Sequence, residues 1–119
     1  MAKILIVDDD AHVTTLLRKV LAAEGYDVTA INNSSKAIQT ANSLHPDLFI
    51  LDLMMPPPDG FTLCSMLRAD PSFAETPILI ITALGDSDSR VVAFGAGADD
   101  YLQKPFHIAE LAKRIKALI

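Results

Sequence analysis

The 119-residue sequence predicts an α/β protein, one parallel sheet wound with helices on both faces, and three observations carry that reading. Short runs such as K-I-L-I-V (3 to 7), apolar after its lysine, and I-L-I-I (78 to 81) are continuously hydrophobic, as strands covered on both faces are. Residues spaced like the buried stripe of a helix follow each run, and the alternation repeats five times. The length suits a single domain of roughly 100 to 200 residues, spanning 1 to 119.

Each element has its own signal. Lys3 to Val7 (β1) stops abruptly at Asp8, Asp9 and Asp10. Val13, Leu16, Leu17, Val20 and Leu21 then fall at helical spacing (α1), and Gly25 stands where a left-handed cap belongs. Asp27 to Ile31 (β2) is a weaker strand, followed by a helix opened by Ser34 or Ser35 that buries Ala37, Ile38 and Ala41 (α2). Leu48 to Leu51 (β3) precedes a proline-rich loop and a helix striped by Phe61, Cys64 and Leu67 (α3). Ile78 to Ile81 (β4) follows Pro77, and Ser87 to Phe94 (α4) ends near Gly97. Tyr101 to Gln103 (β5) is brief, and Ile108, Leu111, Ala112, Ile115 and Ile119 stripe the closing helix (α5).

Composition narrows the function. Half of the residues are hydrophobic, yet no apolar run approaches the ~20 residues of a membrane span, and Met-Ala-Lys opens no signal peptide. A soluble, cytoplasmic protein with no membrane partner is expected. Cys64 is alone, so no internal disulfide forms, and His12, His45 and His107 lack metal-ligand spacing. A net charge of -5 argues against direct nucleic-acid binding, which needs clustered Lys and Arg.

In a parallel sheet of this kind, ligands bind beyond the carboxyl ends of the strands. Those ends hold Asp8, Asp9 and Asp10 after β1, Asp52 after β3, Thr82 after β4 and Lys104-Pro105 after β5; every strand except β2 is read as ending in polar chemistry. Singly, each is an ordinary cap, strand end or surface lysine. Together they gather carboxylates, a hydroxyl and an ammonium, a set complementary to phosphate and a hard cation such as Mg2+. Such a set suits phosphoryl transfer, in which positioning and charge neutralisation supply most of the rate, and an acid there can itself be the acceptor.

The motifs I-L-I-V-D-D-D (4 to 10), L-D-L-M-M-P (51 to 56) with D-G (59, 60), I-I-T-A (80 to 83) and G-A-D-D-Y-L-Q-K-P-F (97 to 106) resemble the receiver domains of two-component response regulators over essentially the whole chain. The resemblance implies a flavodoxin-like (βα)5 fold with strand order 2-1-3-4-5. It implies Asp52 as phosphoacceptor from a phosphohistidine of a sensor histidine kinase or phosphotransfer protein. Mg2+ would be bound by Asp9, Asp52 and the Met54 carbonyl, with Asp8 acting partly through water. Thr82 and Lys104 would meet phosphoryl oxygens, Tyr101 would change rotamer as Thr82 moves, and Pro105 would follow a cis bond. The domain would catalyse only its own phosphorylation and slow dephosphorylation.

Three features extend or depart from that pattern. Pro56, Pro57 and Pro58 are consecutive, which stiffens the loop and removes donors a kinase could contact. Met54 and Leu84 occupy the positions that tune water access in the family, and both are apolar, so slow self-dephosphorylation is expected. Arg90, Asp99, Asp100, Glu110 and Arg114 fall where receivers joined to winged-helix outputs pair across a two-fold α4-β5-α5 dimer, although Phe94 replaces one flanking charge. Past A-K-R-I-K-A-L-I two readings stay open: an output domain removed after Ile119, or a domain acting alone.

Two rivals compete. A haloacid-dehalogenase-like phosphatase also uses an aspartyl phosphate, Mg2+, Thr and Lys, and D-x-D stands at 8 and 10, but Ala11-His12 replaces its Gly-Thr and Asp52 is left unexplained. A phosphorylation-independent receiver acting as a binding module would not need the acceptor-site residues, all of which are present.

Overall fold

Successive strand side chains point to opposite faces, and where both faces are covered, as in the centre of this sheet, the run is apolar on both. The computed structural model describes residues 1–119. Its five strands, Lys3–Val7 (β1), Asp27–Ile31 (β2), Leu48–Leu51 (β3), Ile78–Thr82 (β4) and Asp100–Gln103 (β5), are all parallel and ordered β2-β1-β3-β4-β5. The helices are Ala11–Ala23 (α1), Ala37–Leu44 (α2), Gly60–Ala69 (α3), Ser87–Gly95 (α4) and Ile108–Leu118 (α5). The predicted fold class and strand order are those observed.

Two cores result. Leu5, Val7, Phe49, Leu51, Ile78 and Ile80 pack against Ala37 and Ala41 of α2, Leu63, Cys64 and Leu67 of α3 and Ala93 of α4. Ile4, Ile6, Leu48, Ile50, Leu79 and Ile81 face Leu17 and Leu21 of α1 and Leu111 and Ile115 of α5. Each large side chain buried this way stabilises the fold by roughly 1.5–3 kcal/mol, and together they hold the strand ends at one edge.

Several helix assignments differ from the sequence reading. Leu16 is 50% exposed, while Thr14 is buried with Leu17 and Leu21, so the α1 stripe includes a threonine and omits a leucine. Asn33, not Ser34 or Ser35, caps the second helical segment: its side chain accepts from the Ser35 amide, and a 3-10 turn over Ser34–Lys36 leads into α2. On α5, Ile108 and Ile119 are each 49% exposed, leaving Leu111 and Ile115 as the buried stripe. Gly25 and Gly97 both have positive φ, as the caps of α1 and α4 require.

Candidate functional site

The site is assembled at the carboxyl edge of the sheet. The Asp52 amide still donates to Val7 O at 3.1 Å and the Asp8 amide to Ile31 O at 3.2 Å, so both aspartates are held by the ladder as their side chains leave it. Lys104 is fixed in the same way, its amide donating to Thr82 O at 2.7 Å, and the Lys104-Pro105 bond is cis. Gly60, the first residue of α3, lies so close to this edge that a Cβ there would overlap the Asp52 carbonyl oxygen. Asp59 caps the helix by accepting from the Thr62 amide at 2.8 Å.

The functional side chains converge. Lys104 Nζ donates to Asp8 at 2.8 Å and to Asp52 at 3.0 Å. Carboxylate oxygens of Asp8, Asp9 and Asp52 all lie within 4.8 Å of one another; Asp8 and Asp52 are buried and Asp9 is exposed. Burial pushes the Asp8 carboxyl above its ordinary value, and the Asp52 charge adds to that, against the pull of Lys104 and the Asp10 amide. Burial works against the Lys104 ammonium, but its bonds to Asp8 and Asp52 outweigh it and the net shift is upward.

The residues fit a divalent cation. Three carboxylates face one ammonium, a surplus of negative charge that a hard cation would neutralise, and the cluster offers oxygen donors with neither imidazole nor thiolate. Met54 is 60% exposed at the mouth of the cluster, and its amide donates to Asp52 Oδ1 at 3.3 Å.

Thr82 is fully buried, with its hydroxyl oxygen 3.4 Å from the donating Leu84 amide. Tyr101 is also buried, and its hydroxyl donates to the Leu84 carbonyl oxygen. The Arg90 guanidinium covers the Tyr101 ring at 4.6 Å, and the Phe94 ring stands 6.4 Å away.

The charged residues assigned to a dimer are mostly paired within the chain. Arg114 bonds Asp100 at 2.6 Å and Glu110 at 2.9 Å, while Asp99 accepts from Arg68 at 2.7 Å and from the Ile78 amide at 2.8 Å. Arg90 makes no ion pair and lies on Tyr101 instead.

Three features of the edge have no counterpart in the sequence reading. The Pro57-Pro58 bond is cis. The buried Ser34 hydroxyl donates to Pro56 O at 2.8 Å, tying the proline loop to the segment after β2. β2 also ends in polar chemistry, because the Asn32 amide donates to Asp8 O and to Thr14 Oγ1, each at 2.9 Å. The Asn32-Asn33 pair was the available signal.

An acidic cluster, a lysine and a buried threonine at the carboxyl edge of this fold define a receiver-type signalling domain. A family profile described as the response regulator receiver domain matches residues 4–116, and the chain belongs to that family. RpaA of Synechocystis sp., named a DNA-binding dual master transcriptional regulator, is 44% identical over 119 residues, which are 100% of this chain and 49% of that protein. The chain spans about half the length of the curated relatives it matches. The chemotaxis protein CheY4 of Vibrio cholerae superposes with a TM-score of 0.95 at 28% identity, covering 100% of this chain and 99% of that one. The receiver domain of the sensor histidine kinase PA1611 from Pseudomonas aeruginosa, solved with a magnesium ion in its active site cleft, gives 0.90 at 30% identity, covering 98% and 96%. No helix is long and apolar enough to cross a membrane.

Proposed function

We propose that Asp52 is the phosphoacceptor of a two-component switch, receiving its phosphoryl group from a phosphohistidine of a sensor kinase or phosphotransfer protein. The observation that carries this is the Asp52 carboxylate itself, buried at the end of β3, bonded by Lys104 and flanked by Asp8 and Asp9. One carboxylate oxygen attacks phosphorus, the P–N bond breaks, and the leaving imidazole keeps the electron pair. Lys104 and the Thr82 hydroxyl bind phosphoryl oxygens as charge develops on them. Asp9, Asp52 and the Met54 carbonyl would hold Mg2+, with Asp8 reaching it through water, and the cation would neutralise the transferring group. The PA1611 receiver, named with magnesium in its cleft, supports that choice.

The acceptor site communicates outward through Thr82 and Tyr101. Thr82 and Tyr101 meet at the 82–84 segment, so drawing the Thr82 hydroxyl toward phosphate shifts the Leu84 carbonyl that Tyr101 bonds. The α4-β5-α5 face then carries the signal to an output domain or partner, as the DNA-binding name of RpaA suggests. A homodimer through this face would exchange the present Arg114 and Asp99 partners for intermolecular ones and free Arg90 for Glu110.

Turnover tests the reading. The protein is expected to take one phosphoryl group per chain from acetyl phosphate and hold it, without hydrolysing a phosphate monoester such as p-nitrophenyl phosphate. Multiple-turnover phosphate release from the monoester would favour the phosphatase instead.

A further inference from the structure

The Asp9 carboxylate belongs to the acidic cluster, yet it is exposed and makes no hydrogen bond or ion pair of its own within the chain. Its position is therefore inherited from the backbone that carries it. That backbone is held at one end by Asp10, which caps α1 by accepting from the His12 amide at 2.9 Å. At the other end is the Asp8-Asp9 peptide, whose carbonyl oxygen accepts from Asn32 Nδ2 at 2.9 Å.

Asn32 is anchored in turn. Its Nδ2 also donates to the hydroxyl of buried Thr14 at 2.9 Å, and that hydroxyl donates to Ala11 O at 3.2 Å in the first turn of α1. The amide group thus spends both hydrogens, one on the peptide before Asp9 and one on the helix after it. Through the β1-β2 ladder, which ends at Asp8 N to Ile31 O, the residue next to Asn32 holds the same loop.

We infer that Asn32, seated on Thr14, is a positioning residue for the cation site: it fixes the plane of the Asp8-Asp9 peptide and so holds the Asp9 carboxylate in the cluster. This rests on the proposed Mg2+ site. Asn32 does not touch the phosphoryl group and acts through Asp9 alone. Without its amide the peptide rotates, and the entropy of reordering Asp9 is charged against cation binding.

Amide chemical-shift titration with MgCl2, on the full 119-residue chain, tests it directly. Asn32→Ala is expected to raise the Mg2+ Kd by about fivefold, the worth of one ordinary hydrogen bond. Thr14→Val, which removes only the anchor, should raise it by less. In acetyl phosphate kinetics the half-saturating Mg2+ should rise with Kd while the saturated rate falls by less than that factor. An Mg2+ Kd within twofold of the parent in both variants overturns the inference, as does a loss of saturated rate without loss of affinity. Failure of the parent chain to shift at Asp9 and Asp52 would instead overturn the cation site itself.

Discussion

Lys104 Nζ stands 3.0 Å from Asp52 Oδ2, joining residues 52 positions apart in the chain. The same ammonium bonds Asp8, so it is the internal counter-charge of the acidic cluster. Lys104→Ala is expected to slow phosphorylation by acetyl phosphate by about 10–100-fold, since a hydrogen bond to a charged group is worth roughly 1.5–3 kcal/mol. A mass-resolved time course reads the rate. A value within twofold of the parent would contradict this role for Lys104.

Mg2+ should stabilise the fold by linkage. At a concentration 100-fold above Kd the gain is about 2.7 kcal/mol, and chelation should remove it. Asp9→Asn is expected to lose most of the increase in Tm seen by calorimetry. An equal increase in that variant would place the cation elsewhere.

Self-dephosphorylation should be slow, because Met54 and Leu84, two residues beyond Asp52 and Thr82, are apolar and cannot orient water. Met54→Asn and Leu84→Glu, which can orient water, are each expected to speed hydrolysis of the phosphorylated chain. Equal or slower hydrolysis in both, followed by intact mass, would remove the argument.

Acid titration should act on α4 through its cap. Asp86 accepts from the Ser89 amide at 2.9 Å and the Ser89 hydroxyl at 2.8 Å, and these bonds hold its carboxyl below the usual 3.8. A depressed folded-state value means the contribution is complete above 3.8 and is lost as pH falls through the folded value. Ser89 amide protection, measured by hydrogen exchange, should therefore persist down to about that pH and vanish below it. In Asp86→Ala, protection should be lost at every pH; retention would show that the cap contributes nothing.

Cys64 should be inert. It is fully buried on α3, and burial pushes its thiol up to about 11. At pH 8 only about a thousandth of it would be thiolate. Ellman's reagent is expected to find no reactive thiol until denaturant is added, and rapid stoichiometric reaction of the native chain would contradict the packing of α3.

Much of the fold was legible because its strands are covered on both faces. Ile4 and Ile6 serve one core and Leu5 and Val7 the other, so no alternation blurs the run. The residues gathered at the carboxyl edge were legible because each lies at the end of a strand or within two residues beyond it. Thr14 was not, because hydrophobicity selects Leu16, whereas the 3.6-residue period from Leu17 and Leu21 brings Thr14 inward, where Asn32 bonds its hydroxyl. Asn32 itself acts across 24 positions, and Arg68 reaches Asp99 across 31. Such pairings depend on how helices seat against the sheet, which local pattern does not encode. Asp99, a candidate for an intermolecular ion pair, also has an intramolecular partner in Arg68 of α3.

Everything proposed for the switch depends on Asp52 accepting the phosphoryl group. Intact mass of the chain after incubation with acetyl phosphate and Mg2+ tests it most directly, with Asp52→Asn beside it. The added mass of one phosphoryl group is expected on the parent and none on Asp52→Asn. The same addition on both proteins, or none on the parent, would contradict it.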